Sequence, residues 1–302
     1  MIIIQMMGGL GNQMFQYALY SQLKSMGKEV KMDDSAGFVA DAQRDPELDV
    51  FGINYVRADK KEIIKMRDSS PLLTAKVRRK LFGRKNNSYF EETRLFQSKI
   101  FEWDNVYLEG YWQTEKYFKD VGEQLKQEFS VGRLKNPHNP DYRLSSESES
   151  YLWKIEQTQS VSIHIRRGDY LLPRNQELFG NICTDHYYEQ AMRLITNRYP
   201  NCIFYIFTND TEWSYPWLKQ RTNGKNKIIP VEVPKNRDHE ALVLMSRCKH
   251  NILANSSFSW WASYLNDNPD KMVMAPERWW NGWDSSDIYR ADMTKIKCNI
   301  AD

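Results

Sequence analysis

The chain has 302 residues, 41% hydrophobic and 27% charged, a globular balance that excludes a disordered or fibrous protein. Its 42 Lys and Arg against 39 Asp and Glu leave a net charge of +3, too near neutral for a nucleic-acid polymer to be the default partner. The length suits two domains or one large α/β domain.

Taken in chain order, "MIIIQMM" predicts a buried first strand. "GGLGN" turns, and "NQMFQYALYSQLKSMG" predicts a helix with Phe15, Leu19 and Leu23 on one face and Gly27 as its C-cap. "EVKMDD" follows as a second strand, so the chain opens as a parallel α/β sheet. Residues 40–100 match no pattern, apart from the basic stretch "AKVRRKLFGRK", with Lys76, Arg78, Arg79, Lys80, Arg84 and Lys85. That stretch is either a solvated helix face or a contact for an anionic membrane surface or glycolipid. "NVYLEGYWQTEKYF" predicts a strand and an aromatic helix start. "VGRLKNPHNPDYRLSSES" (131–148) is rich in Pro, Asn and Ser and reads as a linker.

The α/β alternation then restarts. Strands are predicted at "SVSIHI", "CIFYIFTND", "KIIPVEV" and "NILA", and helices at "DHYYEQAMRLITNRYP", "DHEALVLMSRCKH" and after "NSSFS". "KMVMAP" closes the series as the last strand. This gives two α/β domains, 1–148 and 149–302. Ligands in such sheets bind outside the carboxyl ends of the strands, where "HIRRGD", "FTND" and "NSSFS" fall.

Cys183, Cys202, Cys248 and Cys298 form no C-x-x-C pair and complete no zinc spacing. Isolated thiols point to a reducing compartment. The N-terminus lacks the basic region of a signal peptide, and no apolar run reaches spanning length. A soluble cytoplasmic protein is expected.

Arginine supplies forked, permanently charged donors suited to phosphate. Arg166 and Arg167 adjoin on a strand end, where neighbours point to opposite faces. Gly168 allows the break that lets one grip an anion while the other pairs with Asp169. Asn255, Ser256, Ser257 and Ser259 sit at a helix start, as an anion site or as ordinary caps. Asn209 and Asp210 either accept from a base or ribose or cap the next helix. "GGLGNQ" lacks the full dinucleotide fingerprint, since Met14 holds the last Gly position, and it has no Walker lysine. Asn12 and Gln13 in it are suited to sugar hydroxyls. There is no D-x-D run, G-x-S-x-G or H-E-x-x-H, so arginines and a helix N-terminus are the groups left to stabilise a departing diphosphate.

Together "GGLGNQMFQYA", "EGYWQTEKYF", "HIRRGDY", "YIFTND" and "LMSRCKHNILANSSFSWWASYL" resemble the bacterial α-1,2-fucosyltransferases of glycosyltransferase family eleven, in order and spacing. The resemblance implies a GT-B fold, two Rossmann-like domains facing a central cleft. It implies GDP-β-L-fucose as donor, a β-linked galactose 2-hydroxyl as acceptor, and inversion without an essential metal or other cofactor. By this resemblance Arg166 and Arg167 serve the diphosphate or the motif's own scaffold, and His164 lies near the nucleotide. Ser256, Ser257, Phe258 and Ser259 line the phosphate and guanosine side. Gly9, Gly11, Asn12 and Gln13 face the fucose, and Tyr111, Trp112 and Gln113 face the acceptor. Asp169 is the nearest motif carboxylate for a general base, or a structural partner for an arginine. The resemblance also implies a galactose-terminated oligosaccharide or glycolipid as acceptor, a place in surface polysaccharide synthesis, and peripheral contact of the protein with the inner membrane face. The rivals are a fucosyltransferase of α-1,6-like linkage, which shares the Arg-Arg motif, and a non-catalytic carbohydrate-binding protein without a nucleotide site.

Overall fold

The computed structural model describes residues 1–39, 44–69, 73–83, 85–130, 143–221 and 226–299; the side chains of Asp169 and Arg174 lie outside the description. The chain divides into two compact units, Met1–Glu128 and Phe129–Asp302.

The first unit runs β1 (Ile2–Gln5), α1 (Leu10–Ser25), β2 (Val30–Asp33), α2 (Lys60–Met66), α3 (Leu73–Phe82), β3 (Ser88–Phe90), β4 (Val106–Glu109) and α4 (Gly122–Glu128). Among the described residues its sheet has the order β2-β1-β4-β3, and every pairing is parallel. The "IIIQ" run is buried throughout, as a central parallel strand covered on both faces must be. α1 begins at Leu10, just before the predicted start, and ends at Ser25. Gly27 takes φ +80° beyond it, and Lys28 N–H reaches back to the Leu23 carbonyl at 3.2 Å, the left-handed stop that favours glycine.

The second unit runs α5 (Ser146–Glu156), β5 (Ser160–Ile165), α6 (Pro173–Phe179), α7 (Asp185–Arg198), β6 (Ile203–Thr208), α8 (Thr211–Arg221), β7 (Ile228–Pro230), α9 (Asp238–Arg247), β8 (His250–Ile252), α10 (Ser257–Tyr264), β9 (Val273–Pro276) and β10 (Met293–Ile296). The sheet order is β10-β9-β8-β5-β6-β7, again all parallel. Val161, Ile163 and Ile165 of β5 pack with Phe204 and Ile206 of β6 against Tyr187, Ala191 and Ile195 of α7.

Two expectations need correction. "KMVMAP" is not the last strand: β10 pairs with it in register, Met293 beside Val273. Its "MTKI" is half exposed and lacks an apolar run to announce it. The proposed linker 131–148 also ends too late. Residues 131–142 lie outside the described residues, but Ser145 caps α5 by accepting from Ser148 N–H. The buried Glu240 carboxylate of α9 accepts from Ser145 N–H at 2.8 Å, Ser145 Oγ at 2.7 Å and Ser148 Oγ at 2.6 Å. These serines are a helix start held by the second unit, so residues 145–148 belong with it rather than with the first.

Candidate active site

In the second unit the chain builds β5, β6 and β7 outward on one side, then returns to lay β8 on the other side of β5. The point where strand order reverses lies between β5 and β8. Loops leaving the carboxyl ends there diverge to opposite faces and open a crevice, the usual ligand position in such sheets. The loop after β5 is "RRGDY" and the loop after β8 is "LANSSFS".

These loops meet. The His164 and Phe258 rings lie 5.8 Å apart, and Tyr170 Oη donates to the Asn255 carbonyl at 3.0 Å. Tyr170 stacks on Phe179 of α6 at 4.6 Å. Asn255 Nδ2 donates to the carbonyls of Phe179 at 3.3 Å and Trp279 at 3.2 Å, holding the turn before α10.

The arginines divide their work. Arg167 N–H donates to Asn209 Oδ1 at 2.9 Å, and its Nε to Asp210 Oδ2 at 3.1 Å. Its guanidinium lies 3.6 Å from the centre of the Trp213 ring. Asp210 also accepts from Trp213 N–H at 3.2 Å, at the start of α8. Asn209 and Asp210 therefore clamp Arg167 to the end of β6, and Asp210 also caps α8, one of the two roles expected of the pair. Gly168 has φ +30°, and a Cβ there would stand 2.3 Å from Asn209 Nδ2, so the break needs glycine for both reasons. Arg166 sits 5.6 Å from the Tyr170 ring centre, half-buried. Asp169 lies in the same loop, its side chain outside the described residues.

His164 is buried, and its Nδ1 has no hydrogen-bond partner among the described residues. Burial, and then the Arg166 charge, push it down to about 3. It is a neutral imidazole beside a fixed cation.

Ser256 Oγ accepts from Phe258 N–H at 3.3 Å, and the buried Ser259 Oγ donates to the Ala254 and Ser256 carbonyls at 3.1 and 3.2 Å. These hydroxyls shape the turn. Ser257 and Phe258, in the first turn of α10 where the helix dipole is positive, are half-buried.

The first unit has its own reversal, between β1 and β4. Gln16 of α1 spans it: its Oε1 accepts from Met7 N–H and its Nε2 donates to the Gly110 carbonyl, both at 3.0 Å. Gln13 is fully buried, donating to the Gly8 and Asp45 carbonyls and accepting from Glu47 N–H. It is a tie between loops, so it does not present an amide to a sugar hydroxyl. Gly9 precedes α1 in extended conformation and Gly11 is buried in its first turn. Asn12 accepts from Gln113 Nε2 at 2.7 Å, and both are half-buried at the loop surface. Tyr111 lies under the Arg94 guanidinium at 4.8 Å.

Trp112 departs from the expected acceptor role. It is 0% exposed, at φ +55°, with its ring against Tyr117 at 5.7 Å and Tyr89 at 6.2 Å. The buried Glu91 carboxylate accepts from Tyr111 N–H at 2.7 Å and Trp112 N–H at 3.3 Å, fixing the turn that sends the indole inward. Burial raises Glu91 above the usual carboxylate range, against the pull of those amides and Arg94. Sequence reasoning passed over Glu91, Gln16, Tyr170 and Trp213. Tyr170 and Gln16 lie inside quoted motifs and Trp213 just beyond one, while Glu91 falls in the stretch that matches no pattern.

An arginine and a helix amide end at a parallel-sheet reversal, in a chain of two Rossmann-like units, are the parts of a GT-B glycosyltransferase. The chain belongs to glycosyl transferase family 11, whose model matches residues 85–297, so the family expected from the motifs is borne out. It is 29% identical over 290 residues to the α-1,2-colitosyltransferase of Escherichia coli, covering 92% of each chain. It is 30% identical over 306 residues to the O-antigen biosynthesis glycosyltransferase WbnK of Escherichia coli, covering 93% of this chain and 95% of that one. Over 156 residues, 49% of this chain and 39% of the other, it is 25% identical to galactoside α-(1,2)-fucosyltransferase 1 of Oryctolagus cuniculus. Among the described residues no helix is long and apolar enough to cross a membrane.

Proposed function

We propose that this enzyme transfers L-fucose from GDP-β-L-fucose to the 2-hydroxyl of a terminal β-galactoside, with inversion, in the assembly of a surface polysaccharide such as an O-antigen. The observation that carries this reading is the meeting, at the β5/β8 reversal, of the loop that holds Arg166 with the turn before α10, joined by Tyr170 and Asn255 beside a histidine held neutral. The names of the family relatives support the α-1,2 linkage.

In this mechanism the bond between the fucosyl anomeric carbon and the β-phosphate oxygen breaks, and negative charge grows on GDP. Arg166 and the α10 amides meet that charge without a metal. The acceptor oxygen attacks from the opposite face, and its proton passes to solvent water as the new bond forms. A neutral His164 adds no charge of its own, and its open Nδ1 accepts a donor hydroxyl or ring N–H. Arg167, held by Asp210 and Trp213, keeps the loop in place.

The test is mass spectrometry of the protein incubated with lactose and GDP-fucose in the presence of EDTA, with GDP-colitose (the donor sugar lacking its 3-hydroxyl) in parallel. A 2-linked fucosyl-lactose is expected, with kcat/KM lowered on the order of 10²–10³-fold in Arg166→Ala. Transfer from GDP-colitose alone overturns the choice of sugar. Transfer abolished by EDTA and restored by a divalent ion overturns the metal-free step. Folded protein that binds no GDP overturns the donor site.

A further inference from the structure

Residues 60–85 hold ten of the chain's 42 Lys and Arg but two of its 39 Asp and Glu, so the rest of the chain is net acidic. The positive charge of this molecule is concentrated on one segment, which lies almost wholly ahead of the residues matched by the family model. Its helices are built to face outward. α3 has no buried residue. Its Arg78 and Arg79 turn toward the body, where Arg78 pairs with the Asp68 carboxylate and Arg79 donates to the Asp68 carbonyl. The opposite side of the helix carries Leu73, Val77 and Leu81 at four-residue spacing, 75%, 49% and 69% exposed, and Phe82 at its end is 79% exposed. Lys76 and Lys80 flank that stripe. α2 repeats the pattern: Ile63 and Met66 pack inward, while Ile64 is 74% exposed among lysines.

An apolar stripe left bare is costly in water unless something covers it. A stripe flanked by lysines, on a molecule otherwise net acidic, matches a surface that is apolar beneath and negative at its rim. We infer that α2 and α3 seat the enzyme on an anionic lipid bilayer, with Leu81 and Phe82 entering the acyl boundary and Lys76 and Lys80 at the headgroups. The root of α3 adds a consequence. Ser69 is hydrogen-bonded to Glu109 at the carboxyl end of β4, and Asp68 N–H donates to Ser88 Oγ at 3.1 Å. The seat is thus anchored at the sheet edge from which the loop of Tyr111 and Gln113 departs, which brings that loop to lipid-borne glycans.

The experiment is co-sedimentation of the full chain with vesicles of phosphatidylcholine alone and of phosphatidylcholine with phosphatidylglycerol. Binding is expected to the anionic vesicles only and to weaken with salt. Lys76→Gln/Lys80→Gln lowers partitioning about fivefold per lysine, roughly 25-fold for the pair. Leu81→Ser/Phe82→Ser also lowers it but keeps the salt dependence. Circular dichroism checks that both variants fold, and neither pair touches the reacting centre. Protein that stays in the supernatant with anionic vesicles overturns the inference, as does equal binding to neutral ones or unchanged binding by both variants. A dimer in light scattering that the Leu81→Ser/Phe82→Ser variant dissociates assigns the stripe to a second copy, and also overturns it. Sedimentation needs no turnover, so failure here leaves the fucosyl-transfer reading intact.

Discussion

The two units solve the same topological problem with different chemistry. Each parallel sheet reverses strand order once, and each places at least one glycine-containing loop at that point. In the second unit the loops surround a cation: Arg167 is fixed by a carboxylate and an indole, Arg166 stands beside a neutral histidine, and the helix amide end completes the group. In the first unit the polar side chains are largely consumed by the fold. Gln13 and Gln16 bond to backbone, Glu91 holds a turn, and Trp112 fills the core. One edge gathers two guanidiniums, while the other carries Asn12, Tyr111 and Gln113. That contrast suits a transfer between a charged donor and a neutral sugar, where one partner needs electrostatics and the other needs fit.

The sharpest way to break the comparison is Trp112→Ala. A fully buried indole truncated to alanine costs about 3–5 kcal/mol, so urea unfolding is expected to shift strongly, with little specific change in the acceptor KM of the fraction that remains folded. Unchanged stability with a raised acceptor KM would return Trp112 to the acceptor role that the sequence suggests. A smaller effect is expected from Gly168→Ala. The new Cβ meets Asn209 in a backbone region that costs roughly 1–3 kcal/mol for other residues, and kcat/KM is expected to fall with it as the arginine loop shifts. Wild-type turnover in that variant shows the loop tolerates displacement.

The mildest effect is on pH dependence. His164 is held near 3 and His250 near 4, both by burial first. The unfolded chain protonates these rings near 6.5 while the folded chain does not. Their contribution is therefore complete above 6.5 and is lost as pH falls toward 4 and then 3. His164→Gln is expected to flatten the acid limb of stability measured by denaturant titration; an identical limb in both proteins removes His164 from that account.

Much of the fold was legible because strands such as "MIIIQ" and "SVSIHI" are apolar runs followed by glycine or polar turns, a pattern with few other readings. Of the elements that were hidden, three show why. β10 is four half-exposed residues, α5 begins in a serine-rich stretch that resembles a linker, and α8 carries Pro216 inside it. In the site, the arginine pair was readable because adjacent guanidiniums at a strand end have few structural uses. The partner of Arg167 was not, since Asp210 lies 43 residues further on while Asp169 is nearby in sequence. Trp112 misled because an indole serves sugar stacking and core packing equally well, and only burial separates the two. The serines of "NSSFS" do open a helix, as one of their two readings had it, and at Ser256 and Ser259 the hydroxyls serve the turn.

Gln16 has a consequence for anyone redesigning this enzyme. One amide holds the glycine loop after β1 and the aromatic loop after β4, so neither loop drifts alone. Substitutions in one will be judged by their effect on the other, and their effects will not add. A library that varies residues 8–13 and 110–113 separately samples mostly broken pairs. One that varies them together around an intact Gln16 keeps the two loops in register.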